Sequence, residues 1–419
     1  MSTEELEDLE SYRARARAWL ADNLPRLEPG KRWDPFNDDD DRGTRTRELQ
    51  RKLFDGGYAG ICYPKEYGGQ GLPPEYQFAF NEESIGYEMP IVMSTPTLTI
   101  CGPTILDMGT EEQRQRYIPK FLSGEEIWVQ FMSEPSGGSD MAGALTRATR
   151  DGDVWVLSGS KIWSTGAYRA DYALCLARTD WDAPKHRGLT VFIVKIHQPG
   201  ITVNQIAMVD GTTEFCQEYF DDVHIPAENV VGAVNDGWTV ASRLLFHERA
   251  AVGSASPYAS GMVPGMGGSR GDSMVDVAKK QGRADDPVAR QLVAEAEVLS
   301  TVQGQLVKRV IAGLGTGYFP GPSGSLVRLY AGVSSVRRIN IGLELGGDDA
   351  VVYDEDDPAA QLGMNYIRRQ AACLGGGSTE MARNIISERI LGMPREYAAD
   401  RDVPFNQVRR NTLPTAKKT

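Results

Sequence analysis

The sequence of 419 residues has no run of about 18 apolar residues, so it does not predict a membrane-spanning helix. Positive charge is not in excess, since 45 lysines and arginines stand against 57 aspartates and glutamates, a net charge of −12. A surface for nucleic acid or an anionic membrane is therefore not expected. The first residues, MSTEELEDLE, lack the basic and apolar regions of a secretory signal, which favours a cytoplasmic protein.

Cysteine and histidine are also scarce. The five cysteines lie far apart with no C-x-x-C pair, and the four histidines show no ligand spacing, so neither a disulfide framework nor a metal site is predicted. No P-loop and no G-x-G-x-x-G after a strand is present, which weighs against a Rossmann domain that binds a nicotinamide cofactor. At about 150 residues per domain, the length indicates two or three domains.

The hydrophobic pattern divides the chain into four parts. Apolar residues recur at helical spacing over residues 1–125, whereas residues 126–234 contain short segments rich in Val, Ile, Trp, Tyr and Thr. Helical spacing returns over residues 235–395, and residues 396–419 are polar. The predicted fold class is therefore α+β and multidomain, with an N-terminal all-α domain, a central antiparallel β-barrel or sandwich, a C-terminal helical bundle and a loose polar tail.

The helical periodicity also predicts individual segments. A change to Gly, Ser, Pro and Met between residues 257 and 272 predicts a loop inserted between two of them. The predicted helical segments are 6–24, 44–56, 75–88, 111–122, 238–252, 275–280, 287–313, 323–345 and 364–391.

One acidic residue, Glu248, falls on the apolar stripe of the helix predicted at 238–252. An ionised carboxylate on a core-facing surface is costly unless it is paired, protonated or placed in the wall of a cavity. Two interpretations are open: an ion pair with an arginine elsewhere in the chain, or a general base whose pKa is raised by an apolar pocket. The apolar residues of the stripe are Trp238, Ala241, Leu245 and Val252.

Five motifs, in order along nearly the whole chain, resemble those of the acyl-CoA dehydrogenase family. They are GICYPKEYGGQG at 60–71, GTEEQRQRYIPK at 109–120, SEPSGGSD at 133–140, GSKIWST at 159–165, and GGGSTE at 375–380 with the RNII and ERILGMPR that follow it. The resemblance implies a helical domain, a central β-domain and a C-terminal four-helix bundle. It also implies FAD bound between the β-domain and the bundle, with an acyl-CoA thioester against the flavin.

The resemblance further implies that a carboxylate removes the substrate's α-proton while the β-hydrogen leaves as a hydride to flavin N5. Two positions for this base are known in the family. One is Gly376 in this chain, which cannot accept a proton. The other is Glu248, followed by Arg249, in the sequence HERA. The family pattern and the periodicity thus select the same residue, which favours Glu248 as the catalytic base.

Further contacts are carried over from the matching motifs. The implied substrate contacts are Ser139, near the thioester and pantetheine arm, and Arg249, whose guanidinium is expected to organise nearby acidic groups. From the residues alone, Ser139 could equally be a turn serine and Trp163 a core aromatic of a strand. The implied FAD contacts are Phe131, Met132, Ser133, Trp163, Ser164, Thr165, Ser378 and Glu380.

Two family motifs that act across a dimer are not intact. KKQGR at 279–283 stands near the position expected for R-x-x-F-G, and LELGG at 343–347 keeps only the glycines of Q-x-x-G-G. The departures permit a mixed assembly in which another polypeptide completes the FAD site. An oligomer is therefore expected, either a homodimer or homotetramer or a hetero-oligomer with a related subunit.

The leading functional prediction is α,β-dehydrogenation of an acyl-CoA, with an electron-transferring flavoprotein as electron acceptor. A flavin monooxygenase or nitroalkane-oxidase-like enzyme on the same fold is an alternative, although Glu248 weighs against a monooxygenase. A second alternative is a non-catalytic partner subunit, which the altered cofactor motifs favour. The side chains of Ser133, Trp163, Thr165 and Glu248 weigh against it.

Overall fold

The computed structural model of the chain describes residues 6–27, 43–252, 256–261, 273–352 and 360–409. In the described residues, helices precede and follow the strands along the chain, which confirms the predicted class. The helices are α1 (Leu9–Asn23), α2 (Thr44–Asp55), α3 (Pro74–Glu83), α4 (Ile91–Thr95), α5 (Gly102–Met108), α6 (Glu111–Ser123), α7 (Gly237–Val252), α8 (Met274–Lys280), α9 (Pro287–Gly315), α10 (Gly324–Gly346), α11 (Ala360–Arg368) and α12 (Thr379–Ile385). The strands are β1 (Trp128–Phe131), β2 (Arg147–Asp151), β3 (Val154–Thr165), β4 (Tyr172–Arg178), β5 (Leu189–Lys195), β6 (Ile201–Gln205), β7 (Phe215–Pro226) and β8 (Val230–Val231).

The N-terminal domain contains a helical stretch that periodicity does not reveal. Helices α4 and α5 are joined by a turn of π-helix at Pro96–Cys101, so the backbone stays helical through a segment rich in Pro, Thr and Ile. Three threonine hydroxyls donate to carbonyl oxygens four residues earlier, which satisfies them inside the helix. These threonines are Thr95, Thr99 and Thr104.

The middle domain is built on one sheet of eight strands in its described residues, ordered β6-β7-β3-β2-β4-β5-β8 with β1 alongside β4. Most pairs are antiparallel, but β1 runs parallel to β4, and β2 meets β4 in parallel at one residue pair. The sheet is thus predominantly antiparallel, as predicted, with these two parallel pairings as exceptions. The chain leaves β1 into the loop 132–146 and returns to β4 only after two intervening strands, so β1 and β4 are not a hairpin.

The C-terminal part is helical, but the stretch predicted as one helix at 364–391 is broken. A turn at 375–377 separates α11 from α12, and Gly376 and Gly377 have φ of +73° and +92°. Only glycine adopts such values without strain, so the helix cannot continue through them. No helix within the described ranges is both long and apolar enough to cross a membrane.

Two segments expected to be loose pack instead on the body of the protein, as far as they are described. In the inserted loop, Ser260 is buried and donates to the Tyr58 carbonyl of the N-terminal domain. In the tail, Phe405 is buried against Trp181 of the β-domain, because an aromatic ring gains from leaving water wherever a matching surface exists. Residues 262–272 of the predicted loop and 410–419 of the tail lie outside the described residues.

Candidate active site

Glu248 lies where the three domains meet. Helix α7, which carries it, packs on the π-helical turn and α5 of the N-terminal domain, on β5 and on α10. Within electrostatic range of the carboxylate are Cys101 of the N-terminal domain, Gln130 of β1 and Arg328 of α10. Part of the side chain remains accessible to solvent although protein surrounds it closely, as expected for a group in the wall of a cavity.

Burial raises the pKa of Glu248 above the ordinary carboxyl range. A hydrogen bond from Gln130 and the positive charges of Arg249 and Arg328 favour the ionised form, but they only partly offset the burial. Neither arginine forms a salt bridge with the carboxylate among the described residues, so the ion-pair interpretation gains no support. A half-shielded carboxylate with a raised pKa has the properties of a general base.

The buried face of α7 differs from the predicted stripe. The N-terminal and β-domains both cover this helix, so the buried face is turned by about one position and Val252 at its end is exposed. His247, immediately before Glu248, is buried, and its Nε2 lies 2.7 Å from Oδ2 of Asp107 on α5. This contact anchors α7 to the N-terminal domain. The buried face consists of Gly237, Val240, Ala241, Leu244, His247 and Ala251.

The glycine turn at 375–377 lies against the same helix, one turn beyond Glu248. A Cβ placed on Gly376 would lie 2.7 Å from Cγ2 of Val252, so this position is closed to a side chain in the present packing. Arg328 holds the turn in place, because its Nη2 donates to the Gly375 carbonyl at 2.6 Å. The two base positions known in the family are therefore neighbours here, and only the one on α7 carries an acid.

Trp163 interrupts the regular pairing of β3. Its φ is +70°, and the pairing of β3 with β7 shifts register between Ile162 and Ser164. The indole is 51% exposed and meets Phe215 edge to face at 5.9 Å between ring centroids. A large apolar ring held out of the core by a strained backbone is common at functional sites. The interpretation of Trp163 as a core aromatic was therefore wrong.

Ser164 points to the opposite side of the strand. Its hydroxyl donates to Oε2 of Glu218 at 3.1 Å inside the β-domain, so it does not share the face of Trp163. Burial raises the pKa of Glu218 to about 8. Lys161 stands directly across from Glu218 on the neighbouring strand.

Thr165 is only half-buried and remains available for contact.

The other predicted FAD residues of the β-domain lie at the end of β1. Phe131 is buried within the β-domain against Phe220, at 5.8 Å between ring centroids, and Met132 is buried in the core between domains. These two side chains are committed to packing, so they can offer a ligand only their backbone groups. Ser133 is half-buried, and its carbonyl accepts a hydrogen bond from the Ile162 amide.

The remaining predicted residues lie on the two loops around this region. Ser139 is exposed on the loop 132–146. Ser378 caps α12, because its hydroxyl accepts from the Met381 amide at 3.2 Å, and Glu380 is exposed in the first turn of that helix. Ser378 lies directly after the glycine turn that packs beside Glu248.

Two residues of the site, Gln130 and Arg328, are not identified by sequence reasoning. Gln130 interrupts the apolar strand WVQF, and Arg328 is a buried cation on α10, so each leaves a weak signal of a polar group on an apolar surface. The Oε1 atom of Gln130 is buried and has no hydrogen-bond partner among the described residues. An unpartnered buried oxygen beside Glu248 provides an acceptor for a ligand.

The arrangement fits a flavin. An exposed indole suits the face of an aromatic ring system, and backbone at positive φ in the glycine turn permits close approach of a ligand. Gln130 offers a buried acceptor beside the shielded carboxylate of Glu248.

Comparison with known proteins gives the same three divisions. Residues 6–125 match the N-terminal domain of acyl-CoA dehydrogenases, residues 130–223 the middle domain and residues 235–391 the C-terminal domain. Among curated proteins, acyl-CoA dehydrogenase IpdE1 of Mycobacterium tuberculosis is 32% identical over 413 residues, covering 93% of this chain and 99% of that protein.

Solved structures are similar over the same extent. A structure described as the Tcur3481-Tcur3483 steroid ACAD is 28% identical with a TM-score of 0.76, over 94% of this chain and all of the other. The ChsE4-ChsE5 complex from Mycobacterium tuberculosis is similar in fold, with 23% identity and a TM-score of 0.72 over 94% of this chain and all of the other.

Proposed function

The chain belongs to the acyl-CoA dehydrogenase family, whose FAD-dependent members oxidise CH–CH bonds, and from this premise we propose that Glu248 is the catalytic base of its reaction. The substrate is an acyl-CoA thioester and the product the 2-enoyl-CoA. The observation that supports this most directly is the position of Glu248, a half-shielded acid with a raised pKa at the three-domain junction.

Glu248 acts by taking the α-proton of the thioester. For this it must be ionised, and Gln130, Arg249 and Arg328 each favour the ionised form against the cost of burial. FAD, when bound, supplies the acceptor for the β-hydrogen, which leaves as a hydride. Burial raises the pKa of Glu248, so its ionised carboxylate accepts a proton from a weak carbon acid more readily than an ordinary carboxylate would.

Residues of the β-domain and of the bundle would hold the cofactor. On the β-domain, Trp163 and Thr165 would flank the flavin ring, and the Ser133 hydroxyl with the nearby backbone would meet its pyrimidine edge. On the bundle side, Ser378 and Glu380 would contact the pyrophosphate and adenosine. Ser164, Phe131 and Met132 would contribute backbone contacts only, because their side chains face the interior.

A second polypeptide would complete the FAD site. Arg283, the one arginine of the altered KKQGR motif, is bound within its own chain to Asp286 and to the Glu344 carbonyl, so it does not extend towards a neighbour. Two of the similar structures, the Tcur3481-Tcur3483 steroid ACAD and the ChsE4-ChsE5 complex, are each named for two proteins. We therefore propose a hetero-oligomer with a related subunit, an electron-transferring flavoprotein as electron acceptor, and a cytoplasmic location.

The decisive experiment compares Glu248→Gln with the wild-type protein, each purified with any partner needed to retain flavin. Anaerobic flavin bleaching is measured with a panel of straight, branched and steroid-derived acyl-CoA thioesters. The variant should keep its flavin and lose about 100- to 10,000-fold in the rate of bleaching, the usual contribution of a general base. Bleaching at the wild-type rate would remove Glu248 from the mechanism.

The matched control is Glu228→Gln, which changes an exposed carboxylate of the β-domain in the same way. It should bleach at the wild-type rate. A non-catalytic partner subunit is the second candidate, which the altered trans motifs favour. In that case the wild-type assembly would bleach normally and Glu248→Gln would leave its rate unchanged, because another chain would supply the base.

A further inference from the structure

The last described residues of the chain, 396–409, are named here the C-terminal strap. After the bundle ends, the strap returns to the β-domain and lies across the segment that joins β4 to β5. The Phe405 amide donates to the Ala183 carbonyl at 3.0 Å, and the Asn406 amide to that of Trp181 at 2.9 Å. Backbone pairing of this kind fixes the strap in register on the β-domain.

One link from the strap reaches the signature loop, defined as residues 132–146, through a shared lysine. Lys185 Nζ lies 3.1 Å from Oδ2 of Asp400 in the strap and 2.7 Å from Oδ2 of Asp140 in the signature loop. The lysine is largely buried, and contact with it lowers the pKa of Asp400. Because Lys185 contacts both carboxylates, it joins the strap to the loop. Removing either acid breaks this link, since the lysine then contacts only one of the two segments.

A second link runs through a buried arginine. The Phe405 ring covers the Arg178 guanidinium, with 3.4 Å between the ring centroid and Cζ. Arg178 in turn donates to the Ala142 carbonyl at 2.6 Å and to the Ala144 carbonyl at 3.1 Å, both in the signature loop. Phe405 keeps water from these hydrogen bonds, which strengthens them in the low dielectric beneath the ring.

The opposite side of the signature loop is fixed independently of the strap. The Glu134 carboxylate accepts from the Leu145 amide at 2.6 Å, the Thr146 amide at 2.9 Å and Lys161 Nζ at 2.9 Å. These contacts close the base of the loop. The part that carries Ser139 and Asp140 lies on the side held by Lys185 and Arg178, so its position depends on the strap.

We propose that the C-terminal strap positions the signature loop for the pantetheine arm of the acyl-CoA, with Phe405 and Asp400 as positioning residues. The inference rests on the proposed function and on the family resemblance, which implies that Ser139 lies near that arm. It predicts that the strap controls substrate affinity, whereas the chemical step at Glu248 is independent of it.

The test uses the full chain in its assembly, with Phe405→Ala and Asp400→Asn as variants. Asp400→Asn removes one surface contact without disturbing the core, so it remains informative if Phe405→Ala unfolds. The matched control is Tyr397→Ala, which truncates a fully exposed aromatic of the same strap. Hydrogen–deuterium exchange of the amides of residues 136–144 is measured together with KM and kcat for the best acyl-CoA substrate.

Exchange of these amides should rise about tenfold in Phe405→Ala and a few-fold in Asp400→Asn, since local opening becomes easier as contacts are lost. KM should rise in the same order while kcat stays within about twofold, and Tyr397→Ala should match the wild type. Unchanged exchange in both variants, or faster exchange with unchanged KM, would overturn the inference. Hydrogen–deuterium exchange can be measured without catalytic turnover. If the wild-type protein reacts with no acyl-CoA, that result counts against the proposed function, while the exchange rates still test the strap contacts.

Discussion

Glu248 shows how much of one side chain's chemistry is set by residues distant in sequence. Its own helix supplies Arg249, but the hydrogen bond comes from Gln130 and a second positive charge from Arg328. Burial raises the pKa of Glu248, whereas these three groups lower it. The periodicity of α7 indicates an acid on an apolar face, yet the partners that tune it belong to other domains and have no pattern of their own in the sequence.

The Gln130→Leu substitution tests the hydrogen bond. The base must be ionised, so the rate of flavin reduction rises with pH through the pKa of Glu248, which burial already raises. Loss of the donor to the ionised form raises this pKa further, so the midpoint of the profile moves to higher pH. Stopped-flow bleaching across the pH range measures the midpoint, and a profile that keeps its midpoint would contradict the assigned role of Gln130.

Glu218 offers a test of stability that does not involve the reaction. Its pKa is about 8 in the folded protein because burial disfavours the charge, against an ordinary value of 4.5. The folded state therefore binds the proton more tightly than the unfolded state, and stability is lost as pH rises from about 4.5 to about 8. Glu218→Gln does not titrate, so it should gain on the order of a few kcal/mol over the wild type near pH 8.

Thermal unfolding at several pH values measures this gain. The difference in melting temperature between Glu218→Gln and wild type should grow with pH and level off above about pH 8. Glu228→Gln, an exposed counterpart in the same domain, should show no such trend. A constant difference across the range would mean that the Glu218 carboxyl titrates normally.

At the scale of elements, α6 connects two domains through its N-terminal cap. Thr110 and Gln113 form a capping box, and the side-chain Nε2 of Gln113 also donates to the Glu228 and Val230 carbonyls at 2.8 Å each. Thr110→Ala should cost about 1 kcal/mol in the free energy of unfolding, as an N-cap does. Gln113→Ala should cost about 2–4 kcal/mol, because it also leaves two carbonyls without their donor.

Urea titration of both variants gives these free energies. Equal costs would show that Gln113 acts only as a helix cap and that its contacts with the β-domain contribute nothing to stability.

The elements that sequence predicts well are those whose boundaries carry local signals. Helices α2, α6, α7, α8 and α9 begin within one residue of the predicted positions, because caps, Pro and Gly mark them. The helical stretch from Ile91 to Met108 was missed because Pro96, Gly102 and Pro103 are typical helix breakers and threonine is a poor helix former. The parallel pairing of β1 with β4 also has no local signal, since it depends on where the chain returns.

At the scale of the whole molecule, the site cannot be assembled from any one domain. The motif match places Glu248, Trp163 and Ser378 in one site by family resemblance, and the structure brings α7, β1, α10 and the glycine turn together around Glu248. Neither Gln130 nor the strap can be identified from the sequence, because their roles arise from contacts between distant parts of the chain.

The outer surface of α9 provides a test of assembly. Val298 and Val302, four residues apart on one face, are 60% and 42% exposed. Isolated exposed valines are ordinary, but a pair in register on a bundle helix is suited to a partner helix. Val302→Glu should shift the oligomer towards smaller species, because a buried unpaired charge is costly.

Light scattering coupled to size-exclusion chromatography gives the mass of each species. Val209→Glu, in the connection between β6 and β7, is the matched control for a charge at an exposed valine and should leave the mass unchanged. An unaltered mass in Val302→Glu would place the interface on another face.

The tight contact between Gly376 and Val252 has a consequence for any attempt to relocate the reactive acid. Inserting a glutamate at 376 while deleting the one on α7 would push a new side chain into the end of that helix, against a backbone that disfavours it. The exchange therefore requires concerted remodelling of turn and helix, and a simple swap of two residues should yield an enzyme with no working acid at either place.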